Sequence, residues 1–185
     1  MSSLKIETAR EIIYYSYANL AMAHSAVTRG QEKYERLNFM IRAKLNNGLR
    51  DGSMNMRSIF EDEKIKLQTG QMCNYCGSTE NLALDHIFPQ KLAGTDSADN
   101  LIFACRSCNS SKGKKDLMEW MHYRNQFLPL MIIRRYLKLT FNYCEQNNLL
   151  DESIDNLKKM ELPFKIEFIP INFPAPGSLK LFVET

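Results

Sequence analysis

Residues 73–116 read "CNYCGSTENLALDHIFPQKLAGTDSADNLIFACRSCNSSKGKKD", and this stretch decides how the rest of the chain is understood. Two C-x-x-C pairs, Cys73/Cys76 and Cys105/Cys108, bracket 28 intervening residues, 77–104. Each pair forms a tight knuckle that offers two thiolates, and two knuckles close one tetrahedral site of the kind Zn²⁺ prefers. Such a site keeps no open coordination position, so the zinc is structural. It staples a segment too small to bury a core of its own. The fifth cysteine, Cys144, lies in an apolar helical pattern and is expected to be packed.

The composition is that of a globular protein, 44% hydrophobic and 24% charged, with a net charge of only +3. No uninterrupted apolar run approaches the ~18 residues that cross a membrane. The first ten residues, "MSSLKIETAR", hold no apolar signal region, so a cytoplasmic protein with no membrane partner is expected. Paired C-x-x-C in such a chain reads as a metal site and not as a disulfide framework. Charge is distributed unevenly: 101–115 carries Arg106, Lys112, Lys114 and Lys115 and no acid. A cluster of this kind is ordinarily a solvated surface, and gains meaning only beside something that handles phosphate.

The segment between the knuckles supplies that something. "LDH" places Asp85 and His86 side by side, "DNL" places Asn100, and Asn109 directly follows the last cysteine. Histidine accepts a proton near neutral pH. Asp85 and Asn109 offer hard oxygens suited to Mg²⁺ or Mn²⁺. A base, two oxygen ligands and a basic helix start are what metal-assisted phosphodiester hydrolysis requires. Because successive strand residues face opposite ways, Asp85 and His86 serve one phosphate only if the strand ends or bends there, as Pro89 suggests.

In this order the motifs resemble the HNH nuclease family in its zinc-stapled, ββα-metal form. The resemblance covers about a quarter of the chain. It implies that His86 is the general base and that Asn100 ties the loop between the strands to its own backbone. Asn109 stands where the last histidine of the family name would be, as in zinc-containing resolvases of the phage endonuclease VII type. Asp85 and Asn109 would then hold the catalytic Mg²⁺ or Mn²⁺. It further implies a DNA endonuclease leaving 5′-phosphate and 3′-hydroxyl ends, in a bacterial or phage setting such as restriction or antiphage defence. Lys112, Lys114 and Lys115 are expected to contact backbone phosphates, with Arg106 facing phosphate or solvent. Two alternatives stand: a zinc-stapled DNA- or protein-binding module without catalysis, and a nuclease selective for branched DNA.

Outside this core the pattern is helical, so the fold class is α+β: a mainly helical chain around a central ββα core. Three regions are expected, a helical 1–70, the nuclease core 71–126, and a helical then extended 127–185. Ile6, Ala9, Ile13, Tyr17, Leu20, His24 and Val27 make one amphipathic stripe, with His24 read as a packed residue. Tyr34, Leu37, Ile41 and Leu45 make a second that "NNG" should end, and a third helix is expected near 55–68. Helices are expected on both sides of Pro129, with Trp120 in the core, and a short charged one at 151–161. The proline-punctuated tail reads as edge strands or extended chain. The flanks are expected to dimerise the protein, to read DNA, or to dock on a partner protein.

Overall fold

The computed structural model describes residues 5–56, 71–92 and 94–183. Its first helix, α1 (Ala9–Thr28), opens on a capping box: Glu11 N–H donates to Thr8 Oγ1 and the Glu11 carboxylate accepts from Thr8 N–H. The chain leaves it through Gly30 at φ +65, a conformation that costs glycine little. Most of α1 is buried on more than one side, because it packs against both α2 (Arg36–Arg50) and a later helix, α5 (Leu130–Gln146). His24 is half-buried on α1, beside Tyr17, Ser53, Asn55 and Arg134, and burial with the nearby Arg134 charge holds its pKa below the ordinary value.

The second helix does not stop at "NNG". It runs through Gly48 to Arg50, and Met54 folds back against Gly48, where an added Cβ would lie 2.6 Å from Met54 Cγ. The absent side chain is used for packing, not for termination. The helix expected near 55–68 falls mostly on residues outside the described ones.

The core unit follows. β1 (Leu82–His86) pairs antiparallel with β2 (Leu101–Cys105), Asp85 opposite Ile102 and His86 opposite Leu101. The apolar run expected over 82–88 thus ends its strand at His86. Two 3-10 turns, Gln90–Leu92 and Ala98–Asn100, shape the connection. The short helix α3 (Arg106–Lys112) starts immediately after β2, and α4 (Leu117–Tyr123) follows with Asp116 as its N-cap. This is a ββα unit within a largely helical chain, an α+β protein.

Helix α5 begins after Pro129 and backs the hairpin. Tyr136 packs edge-on to Phe88 at 5.6 Å and donates to Asp116 Oδ2 at 2.7 Å, and Arg135 Nη1 donates to Leu101 O at 3.5 Å. Trp120 and Cys144 are buried, the latter completely, which pushes its thiol up to about 12.

The tail, expected as edge strands or extended chain, forms no strand among the described residues. Among the described residues it forms only the 3-10 turns Ile166–Phe168 and Pro176–Ser178. Its carbonyls are spent elsewhere: Pro170 O accepts from Ser16, Ile171 O from Asn19, and Pro174 O from Tyr34. Lys180 O and Leu181 O accept from Leu130 and Met131 N–H, first-turn donors of α5 that no helical carbonyl reaches. The charged helix expected at 151–161 is a single turn, α6 (Ile154–Leu157), capped by Ser153.

Candidate active site and cysteine cluster

The first knuckle turns through Gly77 at φ +81, with Gly77 N–H on Cys73 O at 2.9 Å. Asn74 pins it to β2, donating from both its backbone and side chain to Phe103 O. The second knuckle is the start of α3, where Cys108 N–H donates to Cys105 Sγ. These elements bring the four sulfurs of Cys73, Cys76, Cys105 and Cys108 within 4.8 Å of one another. Cys76 Sγ and Cys105 Sγ lie 3.7 Å apart, too far for a disulfide. A tetrahedron with ~2.3 Å metal–sulfur bonds has edges of about 3.8 Å.

The thiols' proton affinities are uneven. The Cys108 amide brings Cys105 down to about 7, while burial pushes Cys108 and Cys76 up. Four thiolates this close require a cation among them to ionise together. The cluster can hold a metal ion, and the all-sulfur donor set suits Zn²⁺.

Asp85 and His86 close β1 and turn to different partners. Asp85 is buried, 5% exposed, and both its oxygens are engaged: Tyr75 Oη donates to Oδ2 at 2.7 Å and Lys112 Nζ lies 3.2 Å from Oδ1. Lys112 also donates to His86 O at 2.6 Å. Burial together with the Asp85 charge holds the Tyr75 phenol well above the ordinary range, so it remains a donor. A carboxylate offers about four acceptor positions, and Tyr75 and Lys112 take one each. The remaining positions are of the kind a hard divalent ion uses, while the Lys112 ammonium already balances the carboxylate's charge. His86 turns outward to the connecting loop, its Nε2 2.7 Å from Asp96 Oδ1, an oxygen that also accepts from Gln90 Nε2.

Asn100 is buried and bonded throughout. Its Oδ1 accepts from Phe88 N–H at 2.8 Å, and Nδ2 donates to Phe88 O and Thr95 O. One side chain thereby spans the loop that leaves β1 and re-enters β2. Asn109 is half-buried on α3, one turn before Lys112 and on the same side of the helix.

The basic cluster divides. Lys112, expected to contact phosphate, is 1% exposed, with its ammonium committed to Asp85 and the His86 carbonyl. That expectation is corrected: an opposite charge 27 residues earlier draws the lysine inward. Lys114, Lys115 and Arg106 are exposed. Lys115 Nζ reaches back to Ser111 O. Arg106 lies beside a shallow recess with Ser78, Glu80, Asn81 and Ser110.

Three participants escaped the sequence reading. Tyr75 was visible only as the variable residue of "CNYC", Asp96 as one of several acids in a polar loop, and Gln90 as a residue after the strand's proline. Nothing in their spacing announces that they reach Asp85 or His86. Trp120 connects to the same network, edge-on to Tyr75 at 5.0 Å and donating from Nε1 to Ser111 Oγ at 3.1 Å.

Comparison with known proteins falls on this unit. Residues 73–115 match the family model described as HNH endonuclease. A 73-residue stretch is 33% identical to the CRISPR-associated endonuclease Cas9 of Corynebacterium diphtheriae, covering 37% of this chain and 7% of that protein. No solved structure matches the chain. The described helices include none long and apolar enough to cross a membrane. Residues 73–115 are an HNH endonuclease domain in its four-cysteine form, carried within a longer helical chain.

Proposed function

We propose that this chain is a metal-dependent DNA endonuclease that hydrolyses phosphodiester bonds to 5′-phosphate and 3′-hydroxyl ends. The observation that carries the reading is the end of β1, where Asp85 faces α3 and His86 faces the loop held by Asn100. With Nε2 against the Asp96 carboxylate, that nitrogen carries the proton and Nδ1 is the basic one. His86 then takes the proton of a water aligned behind the scissile phosphorus. Asp85 and Asn109 would hold a Mg²⁺ or Mn²⁺ ion, which supplies charge neutralisation at the phosphate when bound. Asn100 keeps the loop rigid so that His86 stays in place, and Lys114 and Lys115 meet backbone phosphates without reading sequence.

The relative's CRISPR association supports a restriction or antiphage setting, which we place in the cytoplasm, with the chain acting as a homodimer or docked on a partner protein through its helical flanks. A plasmid-nicking assay tests the core of this reading. Nicking that needs Mg²⁺ or Mn²⁺ and disappears in folded His86→Ala supports it, and equal nicking by both proteins would sink it. A second reading, a zinc-stapled DNA-binding module without catalysis, draws on the Asp85–Lys112 ion pair, which already satisfies the charge of the carboxylate. It predicts DNA binding by wild type with no nicking in either metal.

A further inference from the structure

The contacts around Asp85 close into a ring that begins and ends on the cysteine cluster. Tyr75 sits between Cys73 and Cys76, and its hydroxyl holds Asp85 Oδ2. Lys112 lies one turn past Cys108 on α3, and its ammonium holds Asp85 Oδ1 and the neighbouring His86 carbonyl. Trp120 bridges the two arms, its ring against Tyr75 and its indole N–H on Ser111, the residue before Lys112. One arm is rooted inside the first knuckle and the other one turn past the second.

We infer that Tyr75 and Lys112 are positioning residues through which the cysteine cluster sets the orientation of the Asp85 carboxylate. This rests on the reading of Asp85 as a ligand of the catalytic metal. One donor on each oxygen fixes the plane of the carboxylate, and with it the directions its remaining acceptor positions would offer a divalent ion. The cluster therefore does more than staple the segment. It holds the metal ligand in register with His86, which shares the Lys112 contact through its own carbonyl.

Tyr75→Phe removes the hydroxyl and keeps the ring on Trp120. Zinc-loaded wild type, Asp85→Asn and Tyr75→Phe are titrated with Mn²⁺, with free Mn²⁺ counted by electron paramagnetic resonance, and nicking rates are measured across the same Mn²⁺ range. Tyr75→Phe should bind Mn²⁺ about tenfold more weakly than wild type. Its half-saturating Mn²⁺ for nicking should move by the same factor, with the loss falling there and not on the rate at saturating metal. Wild-type Mn²⁺ affinity in Tyr75→Phe, while Asp85→Asn loses binding, overturns the inference alone. Equal Mn²⁺ binding by wild type and Asp85→Asn overturns the metal reading and the inference with it. If Tyr75→Phe fails to retain zinc, Lys112→Arg carries the test: it keeps the charge but displaces the contact, and unchanged Mn²⁺ affinity overturns the inference.

Discussion

Lys112 Nζ lies 3.2 Å from Asp85 Oδ1 with the two side chains 1% and 6% exposed, a buried ion pair joining α3 to the end of β1. Breaking one partner of such a pair leaves a charge without water or a counter-ion, at a cost of about 3–5 kcal/mol. Lys112→Met should lose stability of that order in urea denaturation. Adding Asp85→Asn to the same chain should recover much of it, because the stranded charge is gone. Additive losses in the double variant would show that the pair is not coupled.

The neighbouring lysines should behave in the opposite way. Lys114 and Lys115 are exposed, so alanine at either position should shift stability by no more than about 0.5 kcal/mol. Each loss should instead weaken DNA binding across all sequences and reduce the slope of log affinity against log salt by about 1. Fluorescence anisotropy on two unrelated duplexes at several salt concentrations reads both effects.

This contrast also marks where sequence reasoning works. Repeats such as Ile13, Tyr17 and Leu20 on α1 lie within reach of a single helix turn, so their periodicity names the buried face directly. Each C-x-x-C pair is similarly local and names two ligands of one knuckle, while the β1–β2 hairpin brings the four sulfurs together. Lys112 follows no local rule. Its environment is set by Asp85, which only the hairpin brings near. Gly48 reads as a stop in isolation and is a packing site because Met54 returns to it. The tail alternates like a strand, yet its carbonyls meet Ser16, Asn19 and Tyr34 in the N-terminal region. What depends on the next few residues was legible; what depends on a distant partner was not.

Asp96 should matter to His86 without being its equal. The carboxylate is 75% exposed, so water can partly replace its contact with Nε2. Asp96→Asn should lower nicking about tenfold, below the 10²–10⁴-fold that a positioned base contributes and that His86→Ala should forfeit. A loss in Asp96→Asn as large as that of His86→Ala would mean that Asp96 takes part in the chemistry directly.

Metal removal should be visible through Trp120, the only tryptophan, which is 3% exposed and packed on the Tyr75 of the first knuckle. A structural zinc contributes about 10 kcal/mol or more to a small domain. Purified protein should carry one zinc, and a strong chelator should release it with a red shift of Trp120 emission as the indole meets water. Re-adding Zn²⁺ should reverse the shift, and Cys108→Ser should show the shifted spectrum from the outset. Unchanged emission after zinc release would mean that the segment folds without its cluster.

Asp116 gives the stability a pH dependence that can be isolated. It is buried between α4 and α5, and burial raises its pKa to about 6 despite bonds from Glu119 N–H and Tyr136 Oη. The folded state therefore holds the proton more tightly than the unfolded chain, whose carboxyl titrates at 3.8. For a raised pKa the stabilisation is complete below the unfolded value and is lost as pH rises through the folded one. Lowering the pH from 7.5 to 5 should then strengthen the protein by about 1.4 kcal/mol through this group alone. Asp116→Asn keeps an acceptor for the α4 cap but has no charge to titrate. Urea denaturation of both proteins at the two pH values should show the difference in wild type and not in the variant, since contributions from every other group cancel in the comparison. Equal pH dependence in the two would place the Asp116 proton in solvent, not between the helices.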